Sequence, residues 1–378
     1  MAVALSAAER PRELLGQELP GTQAIRSQVV ASGTDAVLQA VSPVSGGVVW
    51  VSGHEGVILR SLDGGLTWVA VPPPAGDTLQ FRDVKAFSRE EAVVLSAGTG
   101  SLSRIYRTGN AGRSWSTSFL MEHPKGFLDC LDFWDGRRGF AYGDAIDGHP
   151  YVLLTEDGGR SWRRAPVQGL PAARGGEGGF AASGTCAVAG EGGRGWIATG
   201  AEGSARVLRT TDHGSSWSAS DLPLARGPMA GAFTIAVHAG EPIMILGGDL
   251  GREEEVVANA ARPARAEGWA PTAAPAPLPG AVYGSATLGP EEVVAFGPAG
   301  SAYTFDAGRS WQGLPEVEAW AGAFHAGEGK GWAVGTRGRI WVLTRSTSTR
   351  PPPPSIQSGW TVTPAPVERT SLDQKGAA

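Results

Sequence analysis

The chain has 378 residues, of which 56 are glycine and 13 tryptophan; only 18% are charged, and the formal net charge is -5. Many tight turns, a large indole complement and few charges fit short buried strands and exclude both a disordered chain and a helical bundle. The acidic balance excludes sequence-independent attachment to nucleic acid or anionic membrane, and no apolar run is long enough to insert directly into a membrane.

The N-terminal "MAVALSAAERPRELLGQ" lacks a basic start followed by a continuous apolar core, so no secretory signal is read, and residues 1–21 are expected to be flexible. "TQAIRSQVVAS", residues 22–32, is extended and stands alone ahead of a repeating pattern that fills about residues 35 to 345. Each unit reads as four strands. In the first these are "AVLQAVS", "GVVWVSG", "GVILRS" and "WVAVPP"; the second repeats them as "FRDVKAF", "EAVVLSAG", "RIYRT" and "WSTSF". The third runs "FLDCLDFW", "RGFAYGD", "YVLLT" and "WRRAPV".

Between the third and fourth strands lies an eight-residue box, S/T-x-D/N-x-G-x-S/T-W. It occurs as "SLDGGLTW" from Ser61, "TGNAGRSW" from Thr108, "TEDGGRSW" from Thr155, "TTDHGSSW" from Thr210 and "TFDAGRSW" from Thr304. Successive tryptophans, Trp68, Trp115, Trp162, Trp217 and Trp311, are 47, 47, 55 and 94 residues apart. The last gap is double the first, and its middle holds a worn copy, "RPARAEGW", ending at Trp269. The box reads as a hairpin. Asp63, Asn110, Asp157, Asp212 and Asp306 accept backbone amides, glycine takes positive φ, and the tryptophan wedges against a neighbouring sheet. A catalytic group is not expected five times over, and calcium loops need more carboxylates than these boxes hold.

A four-stranded antiparallel sheet repeated around an axis is a propeller blade, so the expected fold is all-β, a seven-bladed β-propeller over residues 22–345. The seventh unit, "AWAGAFHA", "KGWAVGT" and "RIWVLT", lacks a box and a fourth strand. An uncovered strand edge invites aggregation, so residues 22–32 are expected to pair there and close the ring. Residues 346–378, rich in Pro and Ser, are expected to be a disordered tail. Cys130 and Cys186 lie in different units and are expected to be buried free thiols.

"VVWVSGHEGVILRSLDGGLTW" resembles the repeat of the photosystem II stability and assembly factors, within the wider group of Asp-box (BNR) propellers. The resemblance spans about residues 35 to 344. It implies a monomeric, non-enzymatic scaffold without a cofactor or metal. Its partners would be proteins, met outside the cytoplasm during assembly of a membrane complex.

Two kinds of loop open on one face of a propeller: those joining a fourth strand to the next first strand, and those joining second to third strands. They hold His54 and Glu55, Arg82, His123, Asp129, Asp144, Asp147, His149, Glu177, Asp249 and Arg337. Loops on a rigid scaffold are where function concentrates. "GDAIDGHP" stands out for two carboxylates and a histidine within six residues. The competing reading is an Asp-box glycoside hydrolase, with Asp144, Asp147 or Glu177 forming a carboxyl pair about 5 to 9.5 Å apart. Two further stretches exceed what a plain repeat needs, that same third unit and "GEGGFAASGT". "GEGGRG", residues 190–195, reads as a hairpin, not a phosphate cradle. Arg137, Arg138, Arg160, Arg163 and Arg164 read as solvated edge charge.

Overall fold

The computed structural model describes residues 22–74, 78–201, 203–265, 267–325 and 329–348. The compact unit Ile25–Arg345 holds seven four-stranded antiparallel sheets; of a second unit, Met1–Ala24 with Ser346–Ala378, only residues 22–24 and 346–348 are described. The innermost strands are Leu38–Pro43, Gln80–Ala86, Leu128–Phe133, Ala187–Ala189, Ala230–His238, Gly284–Gly289 and Ala319–Phe324. Each packs against the next, and the seventh packs against the first, which closes a propeller. The order in the last sheet runs from Ala319–Phe324 through Lys330–Gly335 and Ile340–Ser348 to Thr22–Val30, so the N-terminal strand is the outer strand of blade 7. Strand Ile340–Ser348 continues three residues into the stretch expected to be tail. The remainder of that stretch, and residues 1–21, lie outside the described residues.

The core lies between blades. Trp50 and Phe81 sit in one cluster between blades 1 and 2, and Val334 joins Val51 and Leu59 between blades 7 and 1. Full burial of such a side chain is worth about 1.5–3 kcal/mol, and the blades, apolar on both faces, have no other way to hide them. Indole N–H groups add directed links from blade to blade. Trp50 donates to the Ser88 carbonyl at 3.2 Å, Trp134 to Arg194 at 2.5 Å, and Trp332 of blade 7 to Gly64 of blade 1 at 3.1 Å. The fourth strands are shorter than their sequences suggest, Val69–Ala70 in blade 1 and Arg163–Arg164 in blade 3.

The expectation of two free thiols is wrong: Cys130 and Cys186 form a disulfide, with Cα atoms 6.1 Å apart. Cys130 lies on the first strand of blade 3, and Cys186 immediately precedes that of blade 4. Neighbouring blades are laterally adjacent at the axis, so residues 56 apart in sequence meet there.

Candidate functional site

An extra residue in one strand of an antiparallel pair breaks the alternation and re-aims a side chain. Five innermost strands carry such an irregularity near the start, where the pairing skips Gln39, Arg82, Asp129, Phe233 and Trp320. In blade 6 the corresponding place falls directly ahead of the first strand, at Tyr283, and ahead of blade 4 the segment leading to its first strand brings in Phe180. The consequence is a mouth with two unlike halves. Phe180 stacks on Phe233 at 3.8 Å, Phe233 lies parallel to Tyr283 at 6.1 Å, and Tyr283 meets Trp320 edge-on at 5.2 Å. This aromatic arc crosses blades 4 to 7. Blades 1 to 3 contribute the amide of Gln39, the guanidinium of Arg82 and the carboxylate of Asp129.

His54 joins the halves. Its ring meets Trp320 edge-on at 6.3 Å, and Nε2 lies 2.6 Å from the Gln39 Oε1. The Gln39 amide nitrogen already donates to the Ala181 and Ala182 carbonyls at 3.3 Å, so its oxygen is the acceptor and His54 Nε2 carries the proton. Burial, then the charge of Arg82, lowers the His54 pKa to about 4, so the ring is neutral at physiological pH. Burial, then Glu253, pushes the Tyr283 phenol up to about 12.

The segment that looked over-elaborate, "GEGGFAASGT", plugs the channel. Gly178 bridges Gly200 at its start, and the Cys130–Cys186 disulfide anchors its end. Between them Ala181 accepts from Gln39 and from Arg82 (3.4 Å), while Ser183 Oγ donates to the Tyr283 carbonyl at 2.7 Å. One short loop thereby touches blades 1, 2 and 6. Gly179 is required because a Cβ there would meet the Asp129 Cγ at 2.6 Å.

The remaining predicted residues divide by what already occupies them. Glu55, Asp147 and Arg337 have φ of 56, 54 and 55° and are each followed by a glycine with positive φ, the geometry of type I′ hairpin turns. Turn closure accounts for these positions, with His149 Nδ1 lying 3.1 Å from the Asp147 carbonyl. His123 accepts from the Lys125 N–H at 3.3 Å. Glu177 is 2% exposed. Its carboxylate accepts from Arg206 at 2.6 Å, from Thr199 at 2.9 Å and from the Arg174 N–H at 2.9 Å, so it serves as a buried ion pair. Asp249 caps its own loop, accepting from the Gly251 N–H at 2.8 Å. The backbone at Glu177 runs beside the Asp144 loop, the Ala145 N–H donating to the Glu177 carbonyl at 3.0 Å, while the Glu177 carboxylate is turned inward to Arg206.

The boxes close hairpins on the opposite face. Asp157 Oδ1 accepts from Thr155 Oγ1 at 2.9 Å and from the N–H groups of Arg160 and Ser161 at 2.9 and 3.0 Å; Oδ2 accepts from Ser161 Oγ at 2.6 Å. Asp63, Asp212 and Asp306 repeat this. Asn110 keeps the accepting oxygen and turns its nitrogen to donate to Ser114 Oγ at 2.8 Å. The arginines of blade 3 find partners close at hand: Arg138 pairs with Asp135, Arg163 with Glu156, and Arg164 lies over the Tyr151 ring.

Gln39, Phe180, Phe233, Tyr283 and Trp320 were not anticipated from the sequence. A signal existed in "AFTI", "VYGS" and "AWAG", where an aromatic stands at the head of the inner strand in three consecutive units, and in "GFAA" of the elaborate stretch before the inner strand of blade 4. Among the described residues no cluster of three or more His, Cys, Asp or Glu is arranged to hold a metal ion, and no helix is long and apolar enough to cross a membrane.

No protein-family model and no curated protein matches the chain. Solved structures do. YCF48 bound to D1 peptide superposes with a TM-score of 0.55 at 15% identity, covering 84% of this chain and 96% of that one. YCF48 from Cyanidioschyzon merolae gives 0.60 at 16% identity, covering 84% and 98%. The GH74 xyloglucanase from Xanthomonas campestris gives 0.59 at 17% identity, covering 84% of this chain but 53% of its own. At these identities the likeness is one of fold, and the chain shares the propeller architecture of the YCF48 photosystem II assembly factor.

Proposed function

We propose that the protein is a non-catalytic scaffold whose mouth binds an extended segment of a protein partner. The observation that carries this is the two-sided rim. Phe180, Tyr283 and Trp320, each half-buried over the fully buried Phe233, offer faces and edges to apolar side chains, while the half-buried Arg82 and His54 on the other side offer directional hydrogen bonds to a backbone. A YCF48 structure with a bound peptide supports the same use of this fold. Assembly of a membrane complex is the setting that the likeness suggests, and the disulfide favours an oxidising compartment outside the cytoplasm.

The hydrolase alternative draws on the xyloglucanase neighbour. Against it, one of the three carboxylates of that reading, Glu177, is already engaged by the Arg206 guanidinium and the Arg174 N–H. A neutral His54 supplies no acid at neutral pH.

Peptide display against the immobilised chain, followed by titration of the enriched peptides, tests the proposal. Tyr283→Ala with Trp320→Ala should weaken binding about tenfold or more, as for the loss of aromatic anchors. Equal affinity of that variant removes the mouth as the site. Turnover of xyloglucan by the wild type, abolished by Asp144→Asn with Asp147→Asn, transfers the assignment to the hydrolase.

A further inference from the structure

Beneath the plug the channel continues as a separate chamber of about 330 Å³, lined by the lower halves of the innermost strands of all seven blades. Ser183 and Gly184 of the plug form part of its wall, so the chamber is divided from the mouth by the same loop.

Its chemistry is lopsided. Asp83 lines it with 5% of its surface exposed, and among the described residues the Leu131 N–H donates to its Oδ2 at 2.7 Å. The other oxygen, Oδ1, is what a side chain on Gly184 would strike, so glycine at that position leaves Oδ1 its space. The one lysine of the lining, Lys85, is neutralised in contact with Asp132. The Asp132 carboxylate is otherwise filled by the N–H groups of Phe133 and Ala189, both at 2.8 Å.

The hydroxyls of the lining point the same way. Ser183 commits its proton to the Tyr283 carbonyl, so toward Thr185, 2.6 Å away, it can only accept. Thr185 must then accept from Thr234 at 2.7 Å, and Thr234 from Ser285 at 2.7 Å. All four protons are used within this chain, and Ser285 ends it with lone pairs to spare. Thr287 likewise spends its proton on the Val237 carbonyl at 2.6 Å. The chamber therefore combines a buried acid, whose pKa burial raises well above the usual carboxylate range, with hydroxyls that accept, and among the described residues of its lining the one lysine is already paired. Ala40, Ala86, Ala286 and Phe324 supply room for a short apolar body.

We propose that this lower chamber binds a small primary ammonium compound, with the N–H groups directed to Asp83 Oδ1 and the hydroxyl oxygens at the Ser285 end. The site is independent of the mouth and of the peptide-binding proposal. An ammonium matches the lining because it donates in three directions and accepts in none, and because its charge favours the ionised form of an acid whose pKa burial raises.

Calorimetric titration of the full chain with ethanolamine hydrochloride tests this, with tetramethylammonium and inorganic phosphate as comparators. One saturable site for ethanolamine is expected. Asp83→Asn should weaken it about 10- to 100-fold, the effect of losing a charge-assisted hydrogen bond, and Ser285→Ala by several-fold. A melting curve of each variant without ligand shows whether it folds; Asp83→Asn should melt higher than the wild type, since it relieves a buried acid. The proposal is overturned by undiminished binding to Asp83→Asn, or by phosphate or tetramethylammonium binding as tightly as ethanolamine. Absence of saturation on the order of 10 mM overturns it equally.

Discussion

The lower-face hairpins and the upper mouth are built from the same repeated unit, yet they have diverged in opposite ways. Five boxes hold the same hydroxyl, carboxylate or amide and glycine in nearly the same geometry, and even Asn110 restores the pattern by turning its nitrogen to Ser114. At the mouth, six equivalent positions carry six different side chains, Gln39, Arg82, Asp129, Phe233, Tyr283 and Trp320, and the plug adds Phe180. A turn problem has one good solution and is solved alike each time. A surface that recognises something asymmetric must be asymmetric, and repetition would make it useless. Blade 5 shows that the box is dispensable: there the Ala264 N–H bonds to the Gly268 carbonyl at 3.0 Å and closes the hairpin without a carboxylate.

Removing the strand Thr22–Val30 should damage both regions at once and have the largest effect. It would uncover the edge of Ile340–Ser348 in blade 7, so the truncated chain should aggregate or lose its cooperative unfolding transition in urea. A truncated chain that melts as the full one does would show that ring closure matters to neither face.

Breaking the disulfide separates the two regions. Cys130→Ser with Cys186→Ser should cost about 4 kcal/mol of stability, the value for a loop of this length, read from urea denaturation with and without reductant. Peptide binding should fall as well in protein that remains folded, since the plug carrying Phe180 loses its anchor. The boxes should be indifferent.

Asp157→Ala makes the converse test and should cost about 1–2 kcal/mol, the loss of a carboxylate that satisfies two amides and two hydroxyls. Peptide affinity measured below the melting temperature should be unchanged. Loss of binding without loss of stability would make the box part of the site.

Acid should act on the two regions in sequence, with smaller effects. Unfolded histidine takes up its proton near pH 6.5, whereas folded His54 resists until about 4, so its share of the stability is lost as pH falls between those values. The box carboxylates come later. Hydrogen bonds from the Thr67 hydroxyl and N–H lead in lowering Asp63 to about 2; slight burial works against Asp157, but Ser161 and Thr155 bring it to about 2 as well. Unfolded aspartate protonates near 3.9, so the stability these groups give is complete above about pH 4 and is lost toward pH 2. His54→Gln should remove the first step in a denaturation series across pH and leave the second.

The sequence by itself determined the repeat, the four-strand unit, the hairpin role of Asp63, Asn110, Asp157, Asp212 and Asp306, and the need for residues 22–32 to finish blade 7. These depend on hydrogen bonds and alternation within a few tens of residues, and local spacing records them directly. Only the tertiary structure decided which loops meet at the axis. Cys130 and Cys186 looked unrelated because they belong to different units, and Glu177 looked like a rim carboxylate because Arg206, 29 residues on, is brought against it by the pairing of blade 4. The mouth itself escaped for a related reason. A bulge is an irregularity of register between two strands, and register is a property of the pair, so neither strand shows it alone. The aromatic arc, the plug and the chamber below it exist only where seven strand heads converge on one axis.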